Sequence, residues 1–551
     1  MKVITKEMLQ SPTVTLSWQR KIGILLDRDT ALLSAVYNCY RRGITFVPLD
    51  ARWPRDRLCG ILQNAGVDTV LTARTYADRF AEATILCVEN DVVVDFTPPE
   101  EENDMAYYAH TSGTTGTPKC IAISRPSLDH FIAGMGAIID FSPGKRISCL
   151  AAPSFDVFML ESIGALEMGL SIVLANEEEQ INPKLLGALI TEGQVDIVQM
   201  TPSRMQLLLN FDPSVSCLAN VSKILLGGES LPRPLLEVLR ANTTAKIYNL
   251  YGPTETTVWA TAGEMTEANH IHIGRPLPGV EIYITDAQMN QVPAGGTGEI
   301  CIGGTGLAWG YVGNAKLTEE KFLTLPGRPD TKVYRTGDLG RLLPGGDLEY
   351  LGRRDNQIKI RGHRIEPEEI EFYLNQIPGI RQSVVTGRSV SDMDIVLEAY
   401  YVGDACFLSQ EIIRHLEQKL PAYMIPAVYK RVEAFPLSSN GKINRSSVFQ
   451  CKEMKGEEPG AEACSMTERQ KKILSVITSN IIQPPADPVR LDAALAEIGI
   501  DSITFIRIVI ALEEAFNIKF EDEILILSEF PTVKDLIDYV DEKNLQQDVP
   551  A

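Results

Sequence analysis

Thr111-Ser112-Gly113-Thr114-Thr115-Gly116-Thr117-Pro118-Lys119 is the stretch whose reading decides the fold of this 551-residue chain. It follows Met105-Ala106-Tyr107-Tyr108-Ala109, a short apolar run that reads as a strand leading into a loop. The two glycines permit tight turns in which successive N–H groups converge on an anion. Threonine and serine hydroxyls add donors, and Lys119 adds a positive charge. Together these groups describe a cradle for a polyphosphate. The stretch is not a Walker A loop, which ends in Gly-Lys-Ser/Thr, because here the lysine follows a proline. Standing alone, a Gly/Ser/Thr-rich segment reads equally well as an ordinary loop, so its surroundings decide.

Upstream, Ile22–Leu26, Thr45–Leu49 and Thr69–Thr72 read as strands, with helices over Ala31–Tyr40 and Arg57–Ala65 between them. That βαβ rhythm predicts a parallel sheet with helices on its faces. The alternation continues to about Leu250, Gly-rich β signals dominate from Gly274 to Leu351, and Asn356–Phe449 reads as a smaller α+β unit. Residues 452–462 are charged, carry Pro and Gly and lack apolar periodicity, so they read as a linker; a helical segment then runs from Thr467 to near Asp541. A chain of this length needs several domains. The formal charge of −20 argues against nucleic-acid or anionic-membrane partners. The ten cysteines are scattered without CxxC, the six histidines form no metal spacing, and neither a signal peptide nor a membrane-spanning run is present. These features predict a cytoplasmic protein.

Further motifs follow in order. They are Tyr40-Arg41-Arg42-Gly43 with Val47-Pro48-Leu49-Asp50, Asn249-Leu250-Tyr251-Gly252-Pro253-Thr254-Glu255-Thr256-Thr257, and Tyr334-Arg335-Thr336-Gly337-Asp338. Next come Leu351-Gly352-Arg353, then Asp355, Lys359-Ile360-Arg361-Gly362-His363-Arg364-Ile365-Glu366, and Ser438-Ser439-Asn440-Gly441-Lys442-Ile443-Asn444-Arg445. Ala496-Glu497-Ile498-Gly499-Ile500-Asp501-Ser502-Ile503 closes the series. With the Thr111–Lys119 loop, this series resembles the adenylate-forming enzymes, specifically the adenylation domains of non-ribosomal peptide synthetases followed by a peptidyl carrier (thiolation) domain. The resemblance covers nearly the whole chain from Ile22.

It implies an α/β multidomain protein. Residues 1–354 would form an adenylation core of α/β subdomains plus a β-rich subdomain, and 355–450 a small mobile α+β subdomain. Residues 451–465 would be a linker, and 466–545 an all-α four-helix carrier domain. By resemblance, Thr111, Ser112, Gly113, Thr114, Thr115, Gly116 and Lys119 hold the ATP phosphates, and Tyr251 lies against adenine while Asn249 reads its amino edge. Thr254 would meet the α-phosphate, Glu255 would help hold Mg²⁺, Asp338 would take the ribose hydroxyls, and Arg353 would contact sugar or phosphate. Asp355 aligns with the family's hinge, Gly362 with the loop lining the pantetheine tunnel, and Lys442 with the lysine bridging substrate carboxylate and α-phosphate. Ser502 would carry 4′-phosphopantetheine; read without the family, it is a good helix N-cap. The chemistry suits such a set. A carboxylate attacking a phosphate brings like charges together, so cations and N–H donors must neutralise what develops. The attacking carboxylate is already ionised near neutral pH, so no general base is required.

Ser154-Phe155-Asp156-Val157 resembles the motif whose aspartate pairs with the α-ammonium of an amino acid. The matching substrate positions are Asp156, Val157, Leu160, Gln199, Leu225, Gly227, Leu250, Val258, Trp259 and Lys442. This set resembles a glycine-type code, with valine at 157 and 258 where isoleucine is more usual. Leucines and Trp259 would fill the space a side chain needs. Exclusion of alanine by one methyl gains only about 1–3 kcal/mol, so some leakage is expected.

The resulting reading is an ATP-dependent, AMP-forming ligase that activates glycine as glycyl-AMP and then loads it on Ser502's arm, for antibiotic or secondary-metabolite biosynthesis. Its expected partners are a phosphopantetheinyl transferase, a condensation or tailoring enzyme in trans, and a small activator protein of the MbtH-like type. Another small amino acid such as alanine, a stand-alone acyl- or aryl-CoA ligase, and a degenerate chain acting only as a carrier are the alternatives. Only about twenty unpatterned residues precede Ile22, where family members carry some tens. The first subdomain is therefore expected to be trimmed or completed by a partner chain.

Overall fold

The computed structural model describes residues 2–17, 21–80, 83–99, 104–113, 116–389, 395–403, 407, 409–436, 443–451, 467–481, 489, 491, 493, 495, 498, 500, 502–520, 530 and 532–547. The chain divides into two compact units, Met1–Ser112 with Thr117–Arg364, and Gly113–Gly116 with Ile365–Ala551.

In the first unit, the larger sheet has eight strands in the order Lys2–Ile4, Ser171–Leu174, Arg146–Cys149, Ile197–Met200, Lys223–Gly227, Lys246–Tyr251, Thr261–Glu264 and Arg275–Pro276. The run from Ser171–Leu174 to Lys246–Tyr251 is parallel, and the flanking pairings are antiparallel. A seven-stranded sheet runs Gly310–Tyr311, Lys119–Ser124, Met105–Thr111, Thr45–Pro48, Lys21–Leu25, Thr69–Ala73 and Thr84–Val88. Its last five strands are parallel and its first two pairings antiparallel. All residues of Thr45–Pro48 and Thr69–Ala73 are buried. That is why the parallel strands read as continuous apolar runs rather than alternations. The Gly-rich stretch forms a five-stranded antiparallel sheet built on Val280–Thr285, Gly298–Gly304, Phe322–Leu325, Arg328–Leu342 and Leu348–Arg353.

Local chemistry sets the boundaries. The helix Thr30–Arg42 starts where the Asp29 carboxylate accepts from the N–H groups of Ala31 and Leu32. It stops at Gly43, whose φ of 77° favours a residue without Cβ. One apolar cluster joins Ile22 and Phe46 from the seven-stranded sheet to Ile147, Ile172 and Leu225 from the eight-stranded one.

The N-terminal segment corrects the expectation of unpatterned chain. Lys2–Ile4 pairs antiparallel with Ser171–Leu174 at the sheet edge, Lys6–Leu9 is a short helix, and Val14–Leu16 pairs parallel with Val94–Phe96. Ile4 and Leu9 are buried in the main cluster. Three-residue strands are too short to show a period, so the sequence gives no hint of them.

In the second unit, Ile380–Ser389 and Ile395–Gly403 pair antiparallel, and Val428–Arg431 joins parallel to the latter. Pro367–Leu374 and Ser409–Glu417 are helices. Further along, Glu468–Ser479, Ser502–Phe516 and Val533–Gln547 are helical, and Ile473, Phe505, Leu512, Leu536 and Val540 share a separate apolar cluster. Three of the four expected carrier helices are thus among the described residues, while 521–529 and linker residues 452–466 lie outside them. Among the described residues, no helix is long and apolar enough to cross a membrane.

Leu9 has no exposed surface. Leu9→Ala should therefore lower the stability of the first unit by about 2–5 kcal/mol, read from the shift of its denaturation midpoint. An unchanged midpoint would mean that the N-terminal segment does not belong to the core.

Candidate active site

The predicted residues lie where parallel strands end. Thr111 closes Met105–Thr111, Gly227 closes Lys223–Gly227, Tyr251 closes Lys246–Tyr251, and Asp156 follows the strand Arg146–Cys149. Carboxyl ends of parallel strands are where open α/β sheets leave room for ligands. The Thr111 hydroxyl is buried without a hydrogen-bond partner among the described residues. A buried orphan hydroxyl asks for a ligand or water. Lys119 stands opposite Thr111 in the antiparallel register, and Ser112 Oγ donates to the Arg364 carbonyl at 2.6 Å. Gly116 adopts φ 79°. Gly113–Gly116 groups with the second unit, where the Gly113 N–H donates to the Glu369 carboxylate at 2.9 Å. Thr114, Thr115 and Lys442 lie outside the described residues.

After Tyr251 the chain makes a short 3₁₀ turn, Thr254–Thr256, that buries Glu255 completely. Arg364 Nη1 donates to both of its oxygens, at 2.8 and 3.0 Å, and the Tyr311 hydroxyl donates at 2.7 Å. Burial pushes this carboxyl up, but Arg364, Tyr311 and Lys119 outweigh it and hold it at about 2. The next two residues, Thr257 and Val258, both take left-handed φ values, 63° and 64°. Two successive β-branched residues there are strained. The Thr257 hydroxyl donates to Gly306 O at 2.8 Å, which helps hold the turn.

Asp338 is buried, accepting from the Tyr251 hydroxyl at 2.6 Å and from Arg353 Nη1 at 2.7 Å. Arg353 reaches on to Asp355 through Nε at 2.7 Å and Nη2 at 2.8 Å. Asn249 Nδ2 donates to the His272 carbonyl at 2.9 Å, so its side chain braces the strand end. Gly362 adopts φ 80° and its N–H donates to Glu229 at 2.9 Å; a Cβ there would meet Thr201 Cγ2 at 2.8 Å.

The apolar residues assigned to the substrate lie in the large core cluster that also joins the two sheets. Leu160, Leu225, Leu250, Val258 and Trp259 share one buried cluster, with Val157 packed against it. Gln199 accepts from Trp259 Nε1 at 3.1 Å. Gly227 leaves room for the indole, since a Cβ would stand 2.6 Å from Trp259 Cη2. Burial, with the nearby Glu255 charge adding, pushes the Asp156 carboxyl up to about 6, against the lowering effect of the neighbouring Thr254 and Lys359.

Sequence reasoning did not assign Arg364, Tyr311 or Glu161. Arg364 lay in plain view in a quoted motif, but nothing in one dimension pairs it with Glu255. Glu161 carries a readable signal, a lone carboxylate in the apolar run Val157-Phe158-Met159-Leu160-Glu161-Ser162-Ile163.

Residues 16–312, just over half of the chain, match the family model "AMP-binding enzyme", residues 369–442 match its C-terminal domain, and 473–540 match "Phosphopantetheine attachment site". A dimodular nonribosomal peptide synthase of Bacillus subtilis (strain 168) is 33% identical over 442 residues, which cover 78% of this chain and 18% of that protein. The crystal structure of a four-domain nonribosomal peptide synthetase bound to AMP and glycine matches with 30% identity and a TM-score of 0.57, covering 96% of this chain and 39% of that one. A synthetase protein containing adenylation and carrier domains, bound to a vinylsulfonamide inhibitor, has the same fold; it is 23% identical with a TM-score of 0.75, covering 96% and 88%. The chain thus spans well under half the length of the first two of these relatives.

Arg353 and Asp338 have side chains only 10% and 2% exposed. Arg353→Met, which strands a buried charge, should destabilise the first unit by about 3–5 kcal/mol in urea unfolding. Arg233→Met, at an exposed helical pair with Glu237, should change it by no more than about 0.5 kcal/mol. Equal effects at the two sites would remove the case for a structural Asp338–Arg353 pair.

Proposed function

The chain belongs to the AMP-binding enzyme family, and from that premise we propose that it activates an amino acid, most favourably glycine, as aminoacyl-AMP at the expense of ATP. The aminoacyl group then passes to a 4′-phosphopantetheine arm on Ser502. The observation that carries the substrate class is Asp156, a carboxyl raised to about 6 that directly precedes Val157 at the edge of the apolar cluster. An α-ammonium is the group such a carboxylate pairs with. Glycine is favoured because Trp259 and the leucines occupy the space beyond, with the ring edge pressed on Gly227. The glycine bound in the four-domain relative agrees with this reading.

Within it, the Thr111–Lys119 loop would hold the phosphates by resemblance, and the Thr111 hydroxyl, without a partner among the described residues, is a donor available for them. Tyr251 orients Asp338 toward the ribose, and Thr254, beside Asp156, stands between amino acid and α-phosphate. Mg²⁺ takes hard oxygen ligands. The Glu255 carboxylate, ionised down to about pH 2, fits that requirement and would hold the ion beside the phosphates, where it neutralises their charge. Arg364 uses the same two oxygens, so cation and guanidinium are alternatives at Glu255. Lys442 would bridge carboxylate and phosphate, and Asp355 would serve as hinge between the two half-reactions. Ser502 opens the helix Ser502–Phe516, where the helix dipole favours a phosphodiester. The arm, when attached, supplies the thiol that accepts the aminoacyl group. A phosphopantetheinyl transferase and a downstream condensation or tailoring enzyme are the partners this chemistry requires. A CoA ligase of the same superfamily is the second reading; Asp156 and the fused carrier segment count against it.

Intact mass of the phosphopantetheinylated protein, after ATP, Mg²⁺ and an equimolar amino-acid mixture, should show a glycyl adduct that is lost in Ser502→Ala. An adduct of another mass overturns glycine, and turnover of free CoA without Ser502 favours the ligase. The raised Asp156 carboxyl gives a pH signature. Binding an ammonium needs the ionised form, so kcat/KM for the amino acid should hold above pH 6 and fall about tenfold per unit below it. A flat profile between pH 5 and 7 would contradict the pairing role.

A further inference from the structure

Glu161 belongs to no substrate position assigned above, yet it is 1% exposed and bonded to the pocket wall. It sits in a wide helical turn, Leu160–Gly164, whose π-type winding is the kind that clusters at functional sites. Its Oε2 accepts from the backbone N–H groups of Leu150 and Ala151, each at 2.7 Å. Its Oε1 accepts from Gln199 Nε2 at 3.1 Å. Gln199, also 1% exposed, accepts in turn from Trp259 Nε1 at 3.1 Å. Burial pushes the Glu161 carboxyl up; its bonds from Ala151, Gln199 and Leu150, and the charge of Arg28, which donates to the carbonyls of Cys149, Ala151 and Ala175, act against that and favour the carboxylate.

This chain of bonds has a direction. The indole N–H can only donate, and an ionised carboxylate can only accept. Gln199 satisfies both ends in one amide orientation alone. We infer that Glu161 is a positioning residue for substrate selection: its carboxylate fixes the Gln199 amide, which fixes the Trp259 ring across the space a substrate side chain would need. The inference rests on the glycine reading of the pocket. The ring has little freedom, since its edge lies against Gly227 and its backbone follows the strained Thr257–Val258 pair. Glu161→Gln, nearly isosteric, makes the device fail. The new amide can give its oxygen to Leu150 and Ala151, but its NH₂ then faces the Gln199 NH₂. Turning Gln199 over cures that clash and sets its NH₂ against the indole N–H. One donor–donor mismatch stays in the chain in either case.

The test uses the full chain in ATP–pyrophosphate exchange with glycine and L-alanine. Glu161→Gln should raise the KM for glycine, leave the KM for ATP unchanged, and shift the alanine-to-glycine ratio of kcat/KM toward alanine by about tenfold, the scale of one methyl in an apolar pocket. Gln199→Met, which leaves the bonds of Glu161 to Leu150 and Ala151 intact, should do the same and serves if Glu161→Gln does not fold. Trp259→Phe has no N–H to offend, so in that background Glu161→Gln should change the ratio by less than about twofold. A ratio unmoved by Glu161→Gln and Gln199→Met, or fully additive effects in the cycle, overturns the inference. A wild-type preference for an amino acid other than glycine instead overturns the pocket reading on which it stands.

Discussion

A carboxylate with no exposed surface cannot stay ionised unless charge and donors surround it, and Glu255 imposes that condition on the first unit. Three separate parts of the chain meet it: Arg364 at the end of a hairpin, Tyr311 on an edge strand, and the field of Lys119 across the sheet. The strand-end turn that carries Glu255 also carries Thr254 on one side and the Thr257–Val258–Trp259 wall on the other. Any rearrangement that withdraws Arg364 must therefore bring other positive charge to the same two oxygens. A divalent cation, of the kind that accompanies nucleotide phosphates, would be a chemically natural replacement.

Around that point the architecture separates two tasks. The parallel strands supply rigidity, being buried along their length, while the turn beyond one of their ends carries the buried Glu255. Tyr251, for example, ends a strand yet spends its hydroxyl on orienting Asp338. Asn249, two residues earlier, spends its amide on a neighbouring backbone carbonyl instead. Side chains one pleat apart thus brace two different neighbours.

Much of this was legible beforehand, for identifiable reasons. Buried parallel strands advertise themselves as apolar runs, here separated by helices closed by Gly43 and Gly66, so the βαβ core could be read from Ile22 onward. The Thr111–Lys119 loop was readable because glycines and hydroxyls concentrate there. The substrate set came by resemblance rather than from any periodicity. What the sequence concealed is of two kinds. Strands of three residues, such as Lys2–Ile4, carry no period at all. Pairings of buried charge, such as Arg364 with Glu255 across 109 residues, depend on tertiary closure that a one-dimensional string does not encode. The hydrogen-bond direction through Gln199 is hidden for the same reason.

The left-handed pair Thr257–Val258 has a consequence for anyone reshaping the proposed pocket. A side chain at 258 is judged twice, once by the volume it fills and once by the backbone on which it stands. Glycine and asparagine would relax the main chain while emptying or polarising the cluster; bulkier branched residues would fill it while deepening the strain. A randomised library at that position therefore samples two opposed energies at once. Winners would owe as much to compensating changes around Gly306, the hydrogen-bond anchor of the turn, as to complementarity with the new amino acid.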